Sequence, residues 1–392
     1  MKKTFLTASL FTGFLFLICA GLNAQENFKP KLFAKLAPCL YNPDGLTVCE
    51  KTGKIFLNVP NFSQVENGKK KNSNQGGYLV ELKEDGSFSI LLEYPSLALT
   101  GQSGPMGLDI GPDGNIYTCD NQYFYSKDHS SRILRVVMKD GKPTGEVQVA
   151  VEGVKLANAV MWFRDRMFYS DSCFDTQDPN AEKWIGSGGV FMFEKEEILK
   201  AGKDGNPPLK LKSADVDSHC LATVKVQRVG RSDPTGPDGL TADSNTGVIY
   251  FGNFGNGQLY AIYPNADGSY TKNSQQCIYD PAKAGKEIDP PFQCCDGIFF
   301  DKVSNKIFIN DSVANAIRYF APVKQGEKAE INVLAINDDT DGNDGSLDQP
   351  CECVVVNGKM IIVNFDWPFP GMKNTKVDLP GTLSVIDISS LK

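Results

Sequence analysis

The sequence predicts an all-β protein, a six-bladed β-propeller of four-stranded blades. The first observation is a four-residue motif that recurs six times, starting at residues 43, 105, 157, 237, 295 and 351. The second is the tight turn and apolar strand that follow every copy. A regular repeat of roughly 50 residues indicates a stacked or circular array of one unit. The copies are Pro43–Leu46, Pro105–Leu108, Ala157–Val160, Pro237–Leu240, Cys295–Ile298 and Cys351–Val354.

Each motif opens a unit of short strands joined by tight turns. The turns include Lys51–Gly53 and Asn357–Gly358, and Gly and Asn tolerate the positive φ that hairpins require. Second strands such as Ile249–Phe251 and third strands such as Gly189–Phe191 are rich in β-branched and aromatic residues. About four such strands per unit describe a propeller blade. A short helical turn is predicted over 195–200.

The N-terminal segment is predicted to close the ring. The sixth repeat ends at its third strand, Leu383–Asp387, whereas Lys31–Leu36 has strand character and precedes the first motif. Because an open edge strand is a liability, we expect this segment to supply the outer strand of the sixth blade. Residues 25–392 are then a single propeller domain.

Residues 1–24 have the pattern of a secretory signal peptide. Lys2 and Lys3 precede the apolar run Phe5–Ala20, and small and polar residues follow up to a cleavage site after Ala24. Cys19 would permit lipidation, but the bulky residue before it disfavours that alternative. No later apolar run reaches the roughly 20 residues of a membrane helix. We therefore expect a periplasmic or extracellular protein whose mature chain does not insert into a membrane.

The charge balance disfavours nucleic acid as a partner. The net charge is −7, and removing residues 1–24 removes two lysines and no acids, so −7 − 2 gives −9. Binding to phosphates needs clustered Lys and Arg side chains. The acidic balance therefore disfavours both nucleic acid and anionic membranes as partners.

One position of the repeated motif carries most of the chemistry. The first strand of each blade lines the channel of a propeller, so equivalent residues converge there. Several facing carboxylates repel one another unless a cation or shared protons neutralise them. Oxygen donors of this kind suit Ca²⁺, which accepts 6–8 of them. The six residues at this position are Asp44, Met106, Asn158, Asp238, Asp296 and Glu352.

We therefore expect a divalent cation, best suited to Ca²⁺, on the five oxygen-bearing residues of this set. The alternative is purely structural, because Asp-Gly and Asn-Gly pairs are common turn formers. Five oxygen donors at equivalent positions favour the metal site. Zinc is less suitable, since the only histidines, His129 and His219, lie away from the repeated position.

Long connections between second and third strands should cover the same face of the ring. They carry Tyr123, Trp184 and Trp367, which we expect to contact substrate together with Met106. Aromatic loops over one face can form a lid or a wall that stacks on a sugar. The alternative is that these side chains only pack the loops against the domain.

Two further patterns leave alternatives open. Cys294 and Cys295, with Cys351 and Cys353 in the next blade, predict a disulfide near the channel mouth more than a thiol catalyst or a soft-metal site. The acidic segment 337–344 could bind a second Ca²⁺. It lacks the spaced glutamate of a complete calcium loop, so a solvated loop is the simpler interpretation.

Two stretches resemble the family of regucalcin (senescence marker protein), gluconolactonases and related lactonases. Asn158–Trp162, followed by Tyr169–Ser172, resembles that family's Asn-Gly-apolar-x-Trp segment and its Tyr-x-x-Asp-Ser strand. Gly236–Asp243, followed by Gly247–Asn253, resembles its Pro-Asp-Gly-x-x-x-Asp segment. The resemblance in repeat form covers nearly all of residues 25–392, although strong motif identity is confined to these two blades.

The resemblance implies a divalent cation held by acids of the first and fourth blades and an Asn of the third. Asp44, Asn158 and Asp238 occupy the matching positions, with Asp44 shorter than the glutamate of the family. The family's second-blade Asn-Asp pair, which contacts substrate, is replaced here by Pro105-Met106. This departure puts the substrate, and with it catalysis, in doubt.

Together these observations predict an exported, metal-dependent hydrolase of sugar-derived lactones. The cation would polarise the lactone carbonyl, and Asp238 would act as general base towards water. A Ser or Cys triad is disfavoured because histidine is almost absent. The alternative is a non-catalytic propeller that binds a glycan or a protein partner through the same face.

Overall fold

The computed structural model describes residues 28–62, 64–66, 69–71, 76–175, 185–213, 216–227, 236–284 and 292–391. The expected signal peptide and Trp184 lie outside these residues. Within them, no helix is long and apolar enough to cross a membrane.

Six antiparallel sheets form the blades of a propeller, which confirms the predicted fold class. The first half of the chain begins with β1 (Lys31–Lys35). Blade one then contains β2 (Leu46–Val48), β3 (Ile55–Val59), the inserted hairpin β4 (Gln64–Glu66) and β5 (Lys69–Lys71), β6 (Tyr78–Leu82) and β7 (Phe88–Glu93). Blade two contains β8 (Pro105–Ile110), β9 (Ile116–Asp120), β10 (Ser131–Lys139) and β11 (Lys142–Val154).

Blade three carries the short helix predicted after residue 194. Its elements are β12 (Ala157–Phe163), β13 (Arg166–Asp171), β14 (Ile185–Glu194), α1 (Lys195–Ile198), β15 (Leu209–Lys210) and β16 (Cys220–Gln227). Of these, β15 leaves the blade and pairs in parallel with β11 of blade two.

The last three blades have the simple four-stranded form. Blade four contains β17 (Pro237–Ala242), β18 (Ile249–Asn253), β19 (Leu259–Ile262) and β20 (Gln276–Tyr279). Blade five contains β21 (Ile298–Asp301), β22 (Lys306–Asp311), β23 (Ala316–Phe320) and β24 (Asn332–Ile336). Blade six contains β25 (Pro350–Val356), β26 (Lys359–Asn364) and β27 (Thr382–Asp387).

The ring closes as the sequence predicts. Strand β1 pairs with β27 in antiparallel register, Lys31 opposite Val385 and Lys35 opposite Thr382, and becomes the outer strand of blade six. Around the axis, each first strand contacts the first strand of the next blade, and β25 contacts β2. The two ends of the chain therefore share one sheet, which leaves blade six without an open edge at β27.

The sixth motif lies one residue earlier than the sequence alignment predicts. In three blades a proline at the start of the first strand pairs with the last residue of the second strand, just before a bulge. The pairs are Pro105 with Asp120, Pro237 with Asn253, and Pro350 with Asn364. Because the backbone pairing defines structural equivalence, Pro350 rather than Cys351 begins the sixth copy.

This register places Cys351 at the ring position and Glu352 where other blades have glycine. The carbonyl oxygen of Cys351 accepts a hydrogen bond from the backbone N–H of Gly297 at 2.6 Å, just as that of Asp296 accepts one from Gly239 at 3.0 Å. The alignment was wrong because the segment Cys351–Cys353 has no glycine to fix its register, and a shift by one residue changes the direction of every side chain.

The ring closure gives a first prediction, through Gly345 in the loop before β25. Gly345 has φ 90°, and a Cβ at this position would lie 1.7 Å from the backbone nitrogen of Leu32 in β1. Gly345→Ala should therefore lower the free energy of unfolding by about 1–3 kcal/mol beyond the effect of φ alone, measured by urea denaturation.

Gly326→Ala is the matched control, because Gly326 has φ 92° and no atom within 4 Å of a built Cβ. It should show only the conformational cost of a positive φ, about 1–2 kcal/mol. Equal losses in the two variants would contradict the packing of β1 described above.

Candidate functional site

Five of the six sequence-predicted ring residues line one pocket at the top of the channel. The pocket has a volume of about 60 Å³, and the five residues come from blades one to five. Asp44, Asn158 and Asp238 are each at least nine-tenths buried there. The five ring residues are Asp44, Met106, Asn158, Asp238 and Asp296.

In blades one, two, four and five the ring residue is followed by a glycine, which allows the first strands to approach closely. A Cβ at position 239 would lie 2.3 Å from the carbonyl oxygen of Asp296, and one at position 45 would lie 2.3 Å from that of Met106. Any other residue would push neighbouring blades apart. The motif is therefore structural and chemical at once: the glycine brings the blades together, and the residue before it faces the channel.

Hydrogen bonds from blade three anchor Asp238 in the pocket. The amide nitrogen of Asn158 donates a hydrogen bond to Oδ2 of Asp238, and the hydroxyl of Ser170 donates one to its carbonyl oxygen. The hydroxyl of Ser172 donates to the carbonyl oxygen of Pro237 at 2.6 Å. Blade three thus fixes both the backbone and the side chain of Asp238.

Burial and mutual repulsion disfavour the charged forms of the carboxylates in this pocket. Burial raises the pKa of Asp44 to about 7. Burial, followed by the charges of Asp44 and Glu352, raises the pKa of Asp238 well above its ordinary value. Burial and the charges of Asp44 and Asp296 likewise raise the pKa of Glu352, although the backbone N–H of Cys353 donates to its Oε1 at 2.9 Å. A cation or protons must balance such a cluster.

Glu352 does not line the pocket with the other four predicted ligands. Its oxygen Oε1 lies 2.6 Å from the place that a Cβ on Gly297 would take, so the side chain packs against the backbone of blade five. This follows from the one-residue register shift. Glu352 still acts on the pocket through its charge, as its influence on the pKa of Asp238 shows.

Aromatic side chains form the remaining wall. Phe124, Phe254, Phe365 and Phe369 line the pocket with Leu156, and Asn121, Ser172 and Gln349 supply polar atoms. Three of these rings, Phe124, Phe365 and Phe369, also belong to what we call the aromatic cluster, whose ring centroids lie 4.8–6.4 Å apart. Its members are Phe62, Phe124, Phe365, Trp367 and Phe369.

The substrate residues predicted from sequence fall in different places. Met106 lines the pocket. Trp367 lies in the aromatic cluster, and its backbone N–H donates to Oε1 of Gln349 at 2.6 Å. Tyr123 is buried beside the pocket, with the Lys127 ammonium 3.6 Å from its ring centroid. Trp184 lies outside the described residues.

Phe254 and Phe365 are pocket residues that the sequence reasoning missed. Each follows directly after the last residue of a second strand, β18 or β26. That position could have been recognised, because the end of every second strand lies next to the ring position of its own blade.

The expected disulfide is absent, since Cys295, Cys351 and Cys353 are free thiols. The sulfur of Cys351 lies 3.5 Å from the backbone oxygen of Pro43 in blade one. The sulfur of Cys353 accepts a hydrogen bond of 3.4 Å from Asn310 in blade five. A bulge between Pro350 and Glu352 interrupts the regular alternation of side chains in β25, and the two sulfurs face different neighbouring blades.

Three buried acids beside the channel serve the fold. Asp171 accepts hydrogen bonds from the backbone N–H groups of Lys155 and Leu156 at 2.8 and 3.0 Å. Asp311 accepts one of 2.8 Å from Arg318. Asp120 plays the same part in blade two, where it accepts one of 2.7 Å from Gly104. Each closes the end of a second strand onto its neighbouring segments.

The donor atoms of the pocket are of the kind that a hard cation prefers, but their present positions are not those of a metal site. Carboxylate and amide oxygens with excess buried negative charge are what Ca²⁺ prefers. However, the described residues include no three His, Cys, Asp or Glu side chains close enough together to hold a metal ion. The amide of Asn158 also points its nitrogen at Asp238, so metal binding would require this amide to turn.

A larger cavity of about 500 Å³ lies away from the ring, beside blades two and three. It is lined by His129, Arg132, Lys210 and Lys212 among others. None of the ring residues contributes to it. Because it lacks the carboxylate cluster, we place the candidate site in the smaller channel pocket.

Comparison with known proteins supports the fold. No protein family model matches the sequence, and no curated protein matches it. Similar structures include the PQQ-bound aldose sugar dehydrogenase of Streptomyces coelicolor, with 13% identity, a TM-score of 0.55, and coverage of 92% of this chain and 98% of that one.

The calcium-binding protein regucalcin of Agrobacterium tumefaciens is also similar in structure. It shares 10% identity, a TM-score of 0.51, and coverage of 92% of this chain and 94% of that one. The resemblance stated from sequence is therefore confirmed at the level of the fold.

The raised pKa of Asp44 predicts how the stability of metal-free protein depends on pH. The carboxyl of Asp44 has a pKa of about 7 in the folded protein and an ordinary pKa of 3.8. The unfolded chain therefore releases this proton at lower pH, so the free energy of unfolding falls as pH rises from 4 to 7. Asp44→Asn removes this cost. Its stability relative to wild type should thus increase between pH 4 and pH 8, by up to about 4 kcal/mol, measured by urea denaturation with chelator present. A constant difference across this range would contradict the burial of Asp44 in an unneutralised cluster.

Proposed function

We propose that this chain is an exported, metal-dependent hydrolase of sugar-derived lactones. The observation that carries the proposal is the convergence of Asp44, Asn158 and Asp238, from three blades, on one buried electronegative pocket. The similar structure of regucalcin is that of a calcium-binding protein, which supports the choice of cation. The apolar segment at 1–24 supports export.

Asp44, Asn158 and Asp238 would hold the cation, with Asp296 as a further oxygen donor. The chemistry that a bound divalent cation supplies here is polarisation of the lactone carbonyl and stabilisation of the oxyanion formed on attack. It would also relieve the repulsion between these carboxylates, which burial makes costly.

Asp238 would act as general base. When the amide of Asn158 turns towards the cation, it releases Oδ2 of Asp238, and we propose that this freed oxygen accepts the proton of the attacking water. A general base works best when its pKa lies near the working pH, and burial shifts the pKa of Asp238 in that direction. The opened product is a hydroxy acid, whose negative charge the surrounding acids would help to expel.

The aromatic wall would position the substrate ring and exclude bulk water. Phe124, Phe365 and Phe369 present apolar faces beside the carboxylates, and such faces pack well against the C–H side of a sugar-derived ring. The present cavity of about 60 Å³ is smaller than the roughly 300 Å³ of ordinary ligand pockets. Substrate entry therefore requires the wall of the pocket to open.

Quinone-dependent oxidation, as in the similar aldose sugar dehydrogenase, suits this pocket less well. Pyrroloquinoline quinone is a tricarboxylate and needs cationic groups around it. The described residues that line the pocket include three acids, Asp44, Asp238 and Asp296, and no Lys, Arg or His. An anionic cofactor would meet repulsion there.

The rival proposal is a non-catalytic propeller that binds a glycan or protein partner. The observation that favours it is Met106, an apolar side chain in the pocket where the resembled family places polar substrate contacts. A binding protein would retain the aromatic wall without needing a base at Asp238.

Asp238→Asn tests the enzyme directly. With Ca²⁺ present, wild type should open glucono-δ-lactone faster than the spontaneous reaction, followed by proton release at constant pH. The variant should lose about 10²–10⁴-fold in kcat, the usual contribution of a general base. Chelation should abolish the wild-type rate.

Asp301→Asn is the matched control, a buried acid on the first strand of blade five that lies outside the pocket. It should keep the wild-type kcat. No turnover by wild type on a panel of five- and six-membered sugar lactones, with Ca²⁺, Mn²⁺ or Zn²⁺, would contradict the proposal and favour the binding protein.

A further inference from the structure

A second group of carboxylates lies directly behind the channel pocket, in blade six. Asp348 ends the loop between β24 and β25, and Asp366 and Asp378 belong to the long connection between β26 and β27. Asp348 is 2% exposed and Asp366 is 4% exposed. Three acids from separate segments of the chain therefore meet in a largely buried place.

Two oxygens of this group are buried and lack a hydrogen-bond donor, Oδ1 of Asp348 and Oδ2 of Asp378. Asp366 differs, because Nδ2 of Asn374 and the backbone N–H of Asp378 donate to it at 3.1 and 2.7 Å. Buried polar atoms in native proteins are almost always satisfied. Two unsatisfied carboxylate oxygens in one group indicate a missing positive partner.

The ammonium of Lys376 pairs with one member of the group, but it does not supply the missing charge. The ammonium of Lys376 lies 3.0 Å from Oδ1 of Asp378, but its side chain is 64% exposed, and an exposed pair of this kind contributes little. Burial, and then the neighbouring carboxylates, raise the pKa of Asp348 to about 9. Burial, with a smaller effect of the Asp378 charge, raises the pKa of Asp366 to about 8. The group as it stands is short of positive charge.

The acidic loop 338–344 lies over this group. A Cβ on Gly342 would lie 3.3 Å from Cβ of Asp348 and 2.5 Å from the hydroxyl of Thr382, so the loop backbone packs directly onto them. The hydroxyl of Thr375 donates to Asp339 at 2.5 Å and ties this loop to the connection after β26. Asp339 and Asp341 thereby bring further oxygens close to Asp348, and both raise its pKa.

We propose that Asp348, Asp366 and Asp378 form a second site for a hard divalent cation, best suited to Ca²⁺. Carboxylates from three segments under an acidic loop give the oxygen-only, negatively charged ligand set that Ca²⁺ takes, and Ca²⁺ tolerates irregular geometry. The described acids are not yet close enough together to hold a metal ion, so binding draws the side chains of Asp348 and Asp378 inwards.

This site would control the wall of the channel pocket. Gln349 and Phe365, which line that pocket, are the sequence neighbours of Asp348 and Asp366. The chain is not extended here, because Gln349 and Asp366 have φ 58° and 48°. Each segment nevertheless carries one residue that lines the pocket beside one that belongs to the acidic group. A cation behind the wall would fix the connection that carries Trp367 and Phe369.

Calorimetric titration of Ca²⁺ into the chelator-stripped full chain tests the proposal with three variants. In Asp348→Asn, the Kd of one binding event should weaken at least tenfold. In Asp238→Asn, which changes the channel, that event should be kept. Asp301→Asn is the control and should bind as wild type does. The increase in Tm on adding Ca²⁺ should persist in Asp238→Asn and vanish when Asp348→Asn is added to it.

Unchanged Ca²⁺ stoichiometry and Kd in Asp348→Asn would overturn the proposal and leave a proton shared between the carboxylates. Should Asp348→Asn fail to fold, Asp378→Asn provides the same test at a half-buried position. If the channel does not bind Ca²⁺, the wild type and Asp238→Asn will show the same binding, and the event that depends on Asp348 will remain in both. The two proposals are therefore tested separately.

Discussion

The close approach of the six first strands around one axis is the constraint on which the rest of the structure depends. Glycine after the ring residue permits contact between neighbouring backbones, as Gly239 does against Asp296. The same geometry forces the side chains of the ring position into a common space. Acids placed there cannot avoid one another, and burial removes the water that would screen them. The fold therefore creates the electrostatic problem that the candidate site uses.

The ring must also be held shut against this repulsion. Strand β1 pairs with β27 and joins the two ends of the chain in one sheet. Buried acids at the ends of second strands, such as Asp171 and Asp311, are satisfied by backbone N–H groups or by arginine. Among the described residues, the channel pocket and the group around Asp348 differ from these acids, because there several buried carboxylates raise one another's pKa.

The sequence was sufficient to predict the architecture because each repeat is defined by residues that lie close together in the chain. Glycine turns, apolar strands and the N-terminal strand are local signals, and closure of a ring needs no further information. It was insufficient where the motif loses its glycine, so Glu352 was assigned to the ring position that Cys351 holds. It also missed Phe254 and Phe365, and the group around Asp348, because these depend on loops that meet only in three dimensions.

Diffraction from crystals soaked in Mn²⁺, recorded with anomalous signal, tests the central claim most directly. The account predicts a peak in the channel pocket, within roughly 2.5 Å of oxygens of Asp44, Asn158 and Asp238, with the Asn158 amide turned to present its oxygen. An empty channel at saturating Mn²⁺, with Asn158 still donating to Asp238, would contradict it. The carboxylates would then be neutralised by protons, and the pocket would belong to a binding protein.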